Sequence, residues 1–256
     1  MVLGEIIAQH LEHRLGRKIE RRLGIGDEAT VYQELLARSV SIYPAFTSVI
    51  ETEILKETPA SDPAVVWERS RGEMARLSKL ELFNPLGYDN PPTMVVLAET
   101  AEKAKVSTLS QAAAGTTQWK IGVSYEFQQR SDTVPALTSY KLPLAQIFRG
   151  MESSELFPAL DHGEVNMIAA NNIDGQLTSP NYRILADDRH AFAPYQTCLL
   201  VPQDVLAAEP RLRAVLNELS GKFTTETMRK LSAAVDLNHR ETAGVAAEFL
   251  MQSGLK

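Results

Sequence analysis

Apolar residues along this chain alternate between two rhythms, one of helical period and one of short continuous runs. Leu3, Ile6, Ile7 and Leu11 form a helical stripe over residues 2–15. Residues 19–25 read as a strand, and Gly24 and Gly26 mark the turn out of it. Asp27 is placed to cap a helix over 29–38 that turns Val31, Leu35 and Leu36 inward. A short strand covers 41–46, and Ser61-Asp62-Pro63 sets a cap residue before a helix-starting proline, with the helix running to residue 80. Strands at 80–83 and 93–98 flank a proline-rich crossing. Beyond it come a helix at 108–114, a strand at 119–123, a helix at 125–129 and a strand at 143–147. A helix at 153–160 and strands at 165–169 and 182–185 follow. After one more apolar strand, everything beyond Pro202 reads as helix (204–207, 211–219, 224–235 and 241–252). Thr225 serves as a cap beside Glu226, and Gly254 is the stop.

Strands that alternate with helices imply mainly parallel sheets flanked by helices on both faces, an α/β architecture. The order of elements suggests two lobes. The first takes residues 1–87 and 196–256, and the second takes 88–195. The crossings near 87–90 and 192–195 would form a hinge, and the cleft between lobes is the default ligand site.

The chain has 256 residues, 44% of them hydrophobic, which is ample for two lobes of ordinary size. A net charge of -6 argues against a nucleic-acid surface, which needs clustered Lys and Arg. The nearest basic run, from Arg14 to Arg22, is broken by Leu15, Gly16, Ile19 and Glu20 and reads as a solvated helix end. The single cysteine, Cys198, lies in an apolar strand and permits no intrachain disulfide, so it reads as a buried, inert thiol. No run approaches the roughly 20 apolar residues that span a membrane. The opening Met1-Val-Leu-Gly-Glu-Ile-Ile-Ala8 has no basic start and already carries Glu5, unlike a signal peptide.

Catalytic signatures are missing: there is no Gly-x-Ser-x-Gly, phosphate loop, Rossmann glycine pattern or Cys-x-x-Cys. His10 and His13 share a helix face with no third ligand in view, so neither a metal nor a cofactor is expected. Trp67 and Trp119 read as structural, His162 as a solvated turn residue, and His190 as part of a surface pair with Asp187 or Asp188.

Four motifs carry a stronger signal: Tyr43-Pro-Ala-Phe-Thr-Ser48, Asp89-Asn-Pro-Pro92, Ala170-Asn-Asn-Ile-Asp-Gly175 and Ala193-Pro-Tyr195. With Tyr125-Glu-Phe-Gln-Gln-Arg130, their order and spacing resemble the substrate-binding proteins of ABC importers for glycine betaine, choline and related osmoprotectants. The likeness runs from Leu3 to Leu255. It implies a two-lobed periplasmic-binding-protein fold of type II and the function of an extracytoplasmic solute-binding component. Such a protein, expected as a monomer, hands its ligand to ABC permease subunits and catalyses nothing. Relatives begin with an apolar strand before the Leu-Gly-Glu-Ile helix, whereas this chain starts inside that helix. The expectation is a late start, or a domain cut from a larger exported or permease-fused polypeptide.

The resemblance also implies a site. A quaternary ammonium has no donor to satisfy, so it is held by aromatic ring faces, while a carboxylate on the ligand wants an arginine and amide donors. In this chain the box positions are Phe46 and Tyr195, where rings survive, and Pro92 and Asn171, where they are replaced. Thr47 and Val49 follow Phe46, Asn90 follows the Pro85-Leu86-Gly87 corner, and Arg130 is the expected carboxylate-binding arginine. Two surviving rings and two added asparagines leave open an amino acid or an imidazole-bearing betaine as ligand, or a repurposed sensory domain.

Overall fold

A computed structural model describes residues 2–26, 28–58 and 60–256. The chain divides into two units, Met1–Asp89 with Pro194–Lys256 and, inserted between those segments, Asn90–Ala193. Eight strands run in chain order: β1 Tyr43–Phe46, β2 Leu80–Leu82, β3 Pro92–Leu97, β4 Ile121–Ser124, β5 Arg149–Met151, β6 Met167–Asn171, β7 Tyr182–Leu185 and β8 Thr197–Pro202.

The first unit is built on a sheet of order β1-β8-β2. The central strand β8 is buried along its whole length, which explains its unbroken apolar run of Cys198, Leu199, Leu200 and Val201. Leu35, Ile50, Met74, Leu80 and Leu200 pack together in the core of this unit. Pro63 opens helix Pro63–Ser78 and Asp62 accepts from the Ala64 amide, as its sequence requires. The first helix, Val2–Leu15, packs on the last, Thr242–Gln252. His10, fully buried on it, is fastened by its ring nitrogens to the carbonyls of Leu255 (3.2 Å) and Val215 (3.0 Å). That histidine is a structural clamp, and no metal-holding cluster of His, Cys, Asp or Glu exists among the described residues. Cys198 is buried, and burial pushes its thiol up to about 12, consistent with an inert group.

The second unit carries a five-stranded sheet of order β5-β4-β6-β3-β7. Trp119, Ile121, Val123, Leu137 and Met167 lie in one core cluster, and Leu156, Phe157, Leu160 and Ile168 lie in another.

Several expectations need correction. Four of the six named strand pairs are antiparallel, not mainly parallel: β1 and β2 with β8, and β3 with β6 and β7. In each sheet one strand runs against all the others. That strand is β8 in the first sheet and β3 in the second, and each is the first strand after the chain has passed from one unit to the other. The reversed strand sits between co-directional neighbours, so it contributes two antiparallel pairs.

Residues 19–25 form no strand. Their polar groups are taken by the first helix: the Ile19 amide donates to Glu12 (2.9 Å), and Arg21 pairs with both Glu5 (3.1 Å) and Glu12. The expected strand at 143–147 reduces to a bridge between Trp119 and Leu144, and the pairing strand lies at β5. Two short helices, Ala98–Ala104 and Thr133–Ser139, were not anticipated because their apolar stripes are too brief to show a period. The cap of helix Thr225–Ser232 is Thr224, whose hydroxyl accepts from the Thr227 amide, in place of the expected Thr225. The expected cap Asp27 lies outside the described residues.

Candidate functional site

In the first unit, the resemblance motifs converge at the ends of β1 and β8. These strands pair so that Phe46 lies opposite Thr197, which brings Phe46 to the segment that carries Tyr195. The two rings stand 6.2 Å apart between centroids and are tilted by 52°, a favourable aromatic contact. Thr47 holds the arrangement. Its amide donates to the Gln196 carbonyl (3.0 Å) and its hydroxyl to the Pro194 carbonyl (3.2 Å). The Tyr195 amide donates to the Asp89 carboxylate (2.6 Å), so Asp89 positions the ring as well. Sequence reasoning gave Asp89 no role, although its place in the Asp89-Asn-Pro-Pro92 motif marked it as an acceptor at a turn.

Val49 is buried, and with Phe46, Tyr32, Tyr43 and Ile54 it lines a small cavity. At about 10 Å³ this space admits no more than one water, so it is a packing defect and not a ligand chamber. The helix that follows β1 opens over Thr47–Val49 and widens into a π-turn at Ile50–Ile54. Glu51 is buried there, 3.3 Å from Arg69. Burial raises its pKa and the Arg69 charge opposes the shift.

In the second unit, Asn90, Pro92 and Asn171 come together across the β3–β6 pairing, with Pro92 opposite Asn171. The Asn90 side-chain oxygen accepts from the Ile173 amide (3.2 Å). The Asn171 backbone amide and side chain both donate to Asp174, at 2.9 and 3.5 Å. The asparagines therefore hold the turn after β6. The structural reading of this turn and its candidate ligand role share the same residues.

Arg130 directly follows helix Tyr125–Gln129, whose start is capped by the Ser124 hydroxyl accepting from the Phe127 amide (3.0 Å). The guanidinium forms a two-pronged pair with Asp132, Nε to Oδ1 at 3.1 Å and Nη2 to Oδ2 at 3.0 Å. The side chains are only 11% and 4% exposed, so solvent screens the pair weakly. Thr133 pins the loop by donating its hydroxyl to the Phe127 carbonyl and to the Arg130 carbonyl (3.3 Å). Asp132 also had no role in the sequence reading. The signal was there as an acid two residues beyond the arginine.

The candidate residues fall into two sets: Phe46, Thr47, Val49 and Tyr195 in the first unit, and Asn90, Pro92, Arg130 and Asn171 in the second. Each unit thus carries a sheet with a single reversed strand, and the chain passes between the units twice. A solved structure described as a glycine betaine/carnitine/choline ABC transporter shares this fold with a TM-score of 0.87. It covers 99% of this chain and 94% of its own at 23% identity.

The chain belongs to the family described as the substrate binding domain of ABC-type glycine betaine transport systems, which matches residues 1–252. Among its relatives is the carnitine transport binding protein OpuCC of Listeria monocytogenes, 26% identical over 255 residues, or 98% of this chain and 82% of the relative. Another is the ergothioneine transport permease/ergothioneine binding protein EgtU of Helicobacter pylori. It is 24% identical over 259 residues, which is 99% of this chain and 46% of the relative. The family consists of transport components and not enzymes, placed outside the cytoplasm or at the membrane. Among the described residues no helix is long and apolar enough to cross a membrane.

Proposed function

We propose that this chain captures a small quaternary ammonium solute (choline, glycine betaine or a related zwitterion) and presents it to ABC permease subunits, as a monomer acting outside the cytoplasm. The observation that carries this reading is the Phe46–Tyr195 ring pair, held by Thr47 and Asp89. Two tilted ring faces offer a cation an electron-rich surface without any hydrogen-bond demand, which suits a trimethylammonium group. Val49 shares a small cavity with Phe46, and Pro92 adds an apolar surface where the family has a ring. Arg130 meets the anionic end of a ligand that has one. In this proposal the units are the two lobes, residues 1–87 with 196–256 and residues 88–195, and binding closes one on the other about the chain passages.

Isothermal titration with choline, glycine betaine, carnitine and ergothioneine tests the proposal. Micromolar or tighter binding of at least one, lost in the Phe46→Ala/Tyr195→Ala double variant, is the expected result. Unchanged binding in that variant removes the rings from the site.

A second reading is favoured by Asn90 and Asn171. Asn171 carries an amide where the family has a ring, and Asn90 adds a second amide. Extra donors and acceptors suit an amino acid or an imidazole-bearing betaine, and preferential binding of ergothioneine in the same titration would support it.

A further inference from the structure

We infer that Glu51 is a positioning residue for ligand capture: its ionised carboxylate docks the helical run that follows β1 onto helix Pro63–Ser78 and so holds Thr47 and Phe46 in place. The inference rests on the proposed reading of Phe46 and Tyr195 as the rings that meet the ligand.

Phe46 leads directly into Thr47–Val49 and the π-turn Ile50–Ile54, so whatever fixes this run also fixes the ring. Thr47 and Glu51 stand one turn apart on one face of it. Helix Pro63–Ser78 meets that face with two adjacent residues. The Ser70 hydroxyl donates to the Thr47 carbonyl at 3.4 Å, and Arg69 Nη1 lies 3.3 Å from Glu51 Oε1. Thr47, Glu51 and Ser70 are wholly buried. Glu51 Oε2 accepts from the Ala60 amide at 3.3 Å. Among the described residues Oε1 has no hydrogen-bond donor, so its contact with Arg69 is one of charge and is lost on protonation. Arg69 then keeps its second partner, Glu57 at 3.1 Å, and the run loses one of its two ties.

Two charged groups act on Glu51: Arg69 from helix Pro63–Ser78 and Glu57 from the segment after the π-turn. Burial is the largest influence and raises its pKa above the ordinary 4.5, while Arg69 opposes the rise and Glu57 adds to it. Such a carboxyl contributes stability below the unfolded value, and that stability is lost as pH rises through the folded one. At neutral pH the charge is therefore held against the preference of the fold, which marks Glu51 as serving the geometry it imposes.

Capture should fade as pH falls through the Glu51 titration. Choline and glycine betaine keep their charges in this range, so the profile reports on the protein. The experiment is titration calorimetry on the whole chain, with whichever of the two binds more tightly, between about pH 7.5 and 4.5. Affinity should fall by at least about fivefold, the lower end of ordinary coupling between sites. Glu51→Gln, which keeps the shape and the acceptor for the Ala60 amide, should bind weakly with a flat profile, and Arg69→Ala should flatten it as well. A purely structural role would lower affinity without changing the profile. Carboxyl-carbon NMR of the wild type needs no variant to fold: Glu51 should titrate at lower pH in the complex than in the free chain. Wild-type affinity that stays constant over this range, or a Glu51 titration that the ligand leaves unmoved, overturns the inference alone. Wild-type protein that binds neither ligand overturns the quaternary ammonium reading and this inference with it.

Discussion

At the scale of single residues, groups that hold the fold stand beside the groups proposed to meet a ligand. His10 is of the first kind, and so is Arg21, which gathers Glu5 and Glu12 around itself. Hydrogen bonding from Arg21, helped by the Ile19 amide, holds the Glu12 carboxyl down to about 2 from its usual 4.5, and Glu5 is lowered by the same arginine. A folded-state pKa below the unfolded one means that the stability is present above the unfolded value and fades as pH falls towards the folded one. Arg21→Ala should therefore lower the melting temperature at pH 7 and flatten its decline between about pH 4.5 and 2, which a series of thermal melts will show. Phe46 and Tyr195 are proposed to be of the second kind. Each ring truncated to alanine should weaken quaternary ammonium binding roughly tenfold while leaving the circular dichroism spectrum intact. Tyr195 and Arg130 were legible as candidates because each stands in a recognisable motif. Asp89 and Asp132 were not, because an acceptor's role depends on which amide or guanidinium the fold brings to it.

At the scale of elements, the Asp62-Pro63 helix start was legible in the sequence and strand pairing was not. Asp62 and Pro63 announce their helix because the cap and the proline act through neighbouring backbone alone. The choice of Thr224 over Thr225 was missed because both hydroxyls suit the role and only backbone geometry picks one. Thr224→Ala should lower stability by about 1 kcal/mol in denaturant unfolding, whereas Thr225→Ala should have a smaller effect. The Pro85-Leu86-Gly87 corner leads into Asp89. Gly87 has φ 113° there, and a side chain would meet the Phe223 carbonyl at 2.5 Å. Gly87→Ala should thus be strongly destabilising, whereas a Gly→Ala change at a compatible position stabilises by about 0.4–1 kcal/mol, and it should loosen the Leu86–Phe223 hydrogen bond at 3.0 Å. Hydrogen exchange at Phe223 would report that loosening.

At the scale of the whole molecule, ligand capture and stability are linked. A ligand that binds only the folded chain adds about 2.7 kcal/mol at a hundred times its dissociation constant, so the melting temperature should rise with ligand concentration. The rise should vanish in the Phe46→Ala/Tyr195→Ala double variant, and a differential scanning series checks both statements.

Helix stripes, proline corners, the all-helical tail and the family motifs are local patterns, and the sequence by itself determined them. Physical interactions between near neighbours produce them, so they survive without knowledge of the rest. The reversed strand in each sheet, the coil at 19–25 and the partners of Asp89 and Arg130 were decided only in the tertiary structure. Strand direction depends on where the chain re-enters a unit, and a buried charge depends on what is folded against it. Neither is a property of any short stretch of residues.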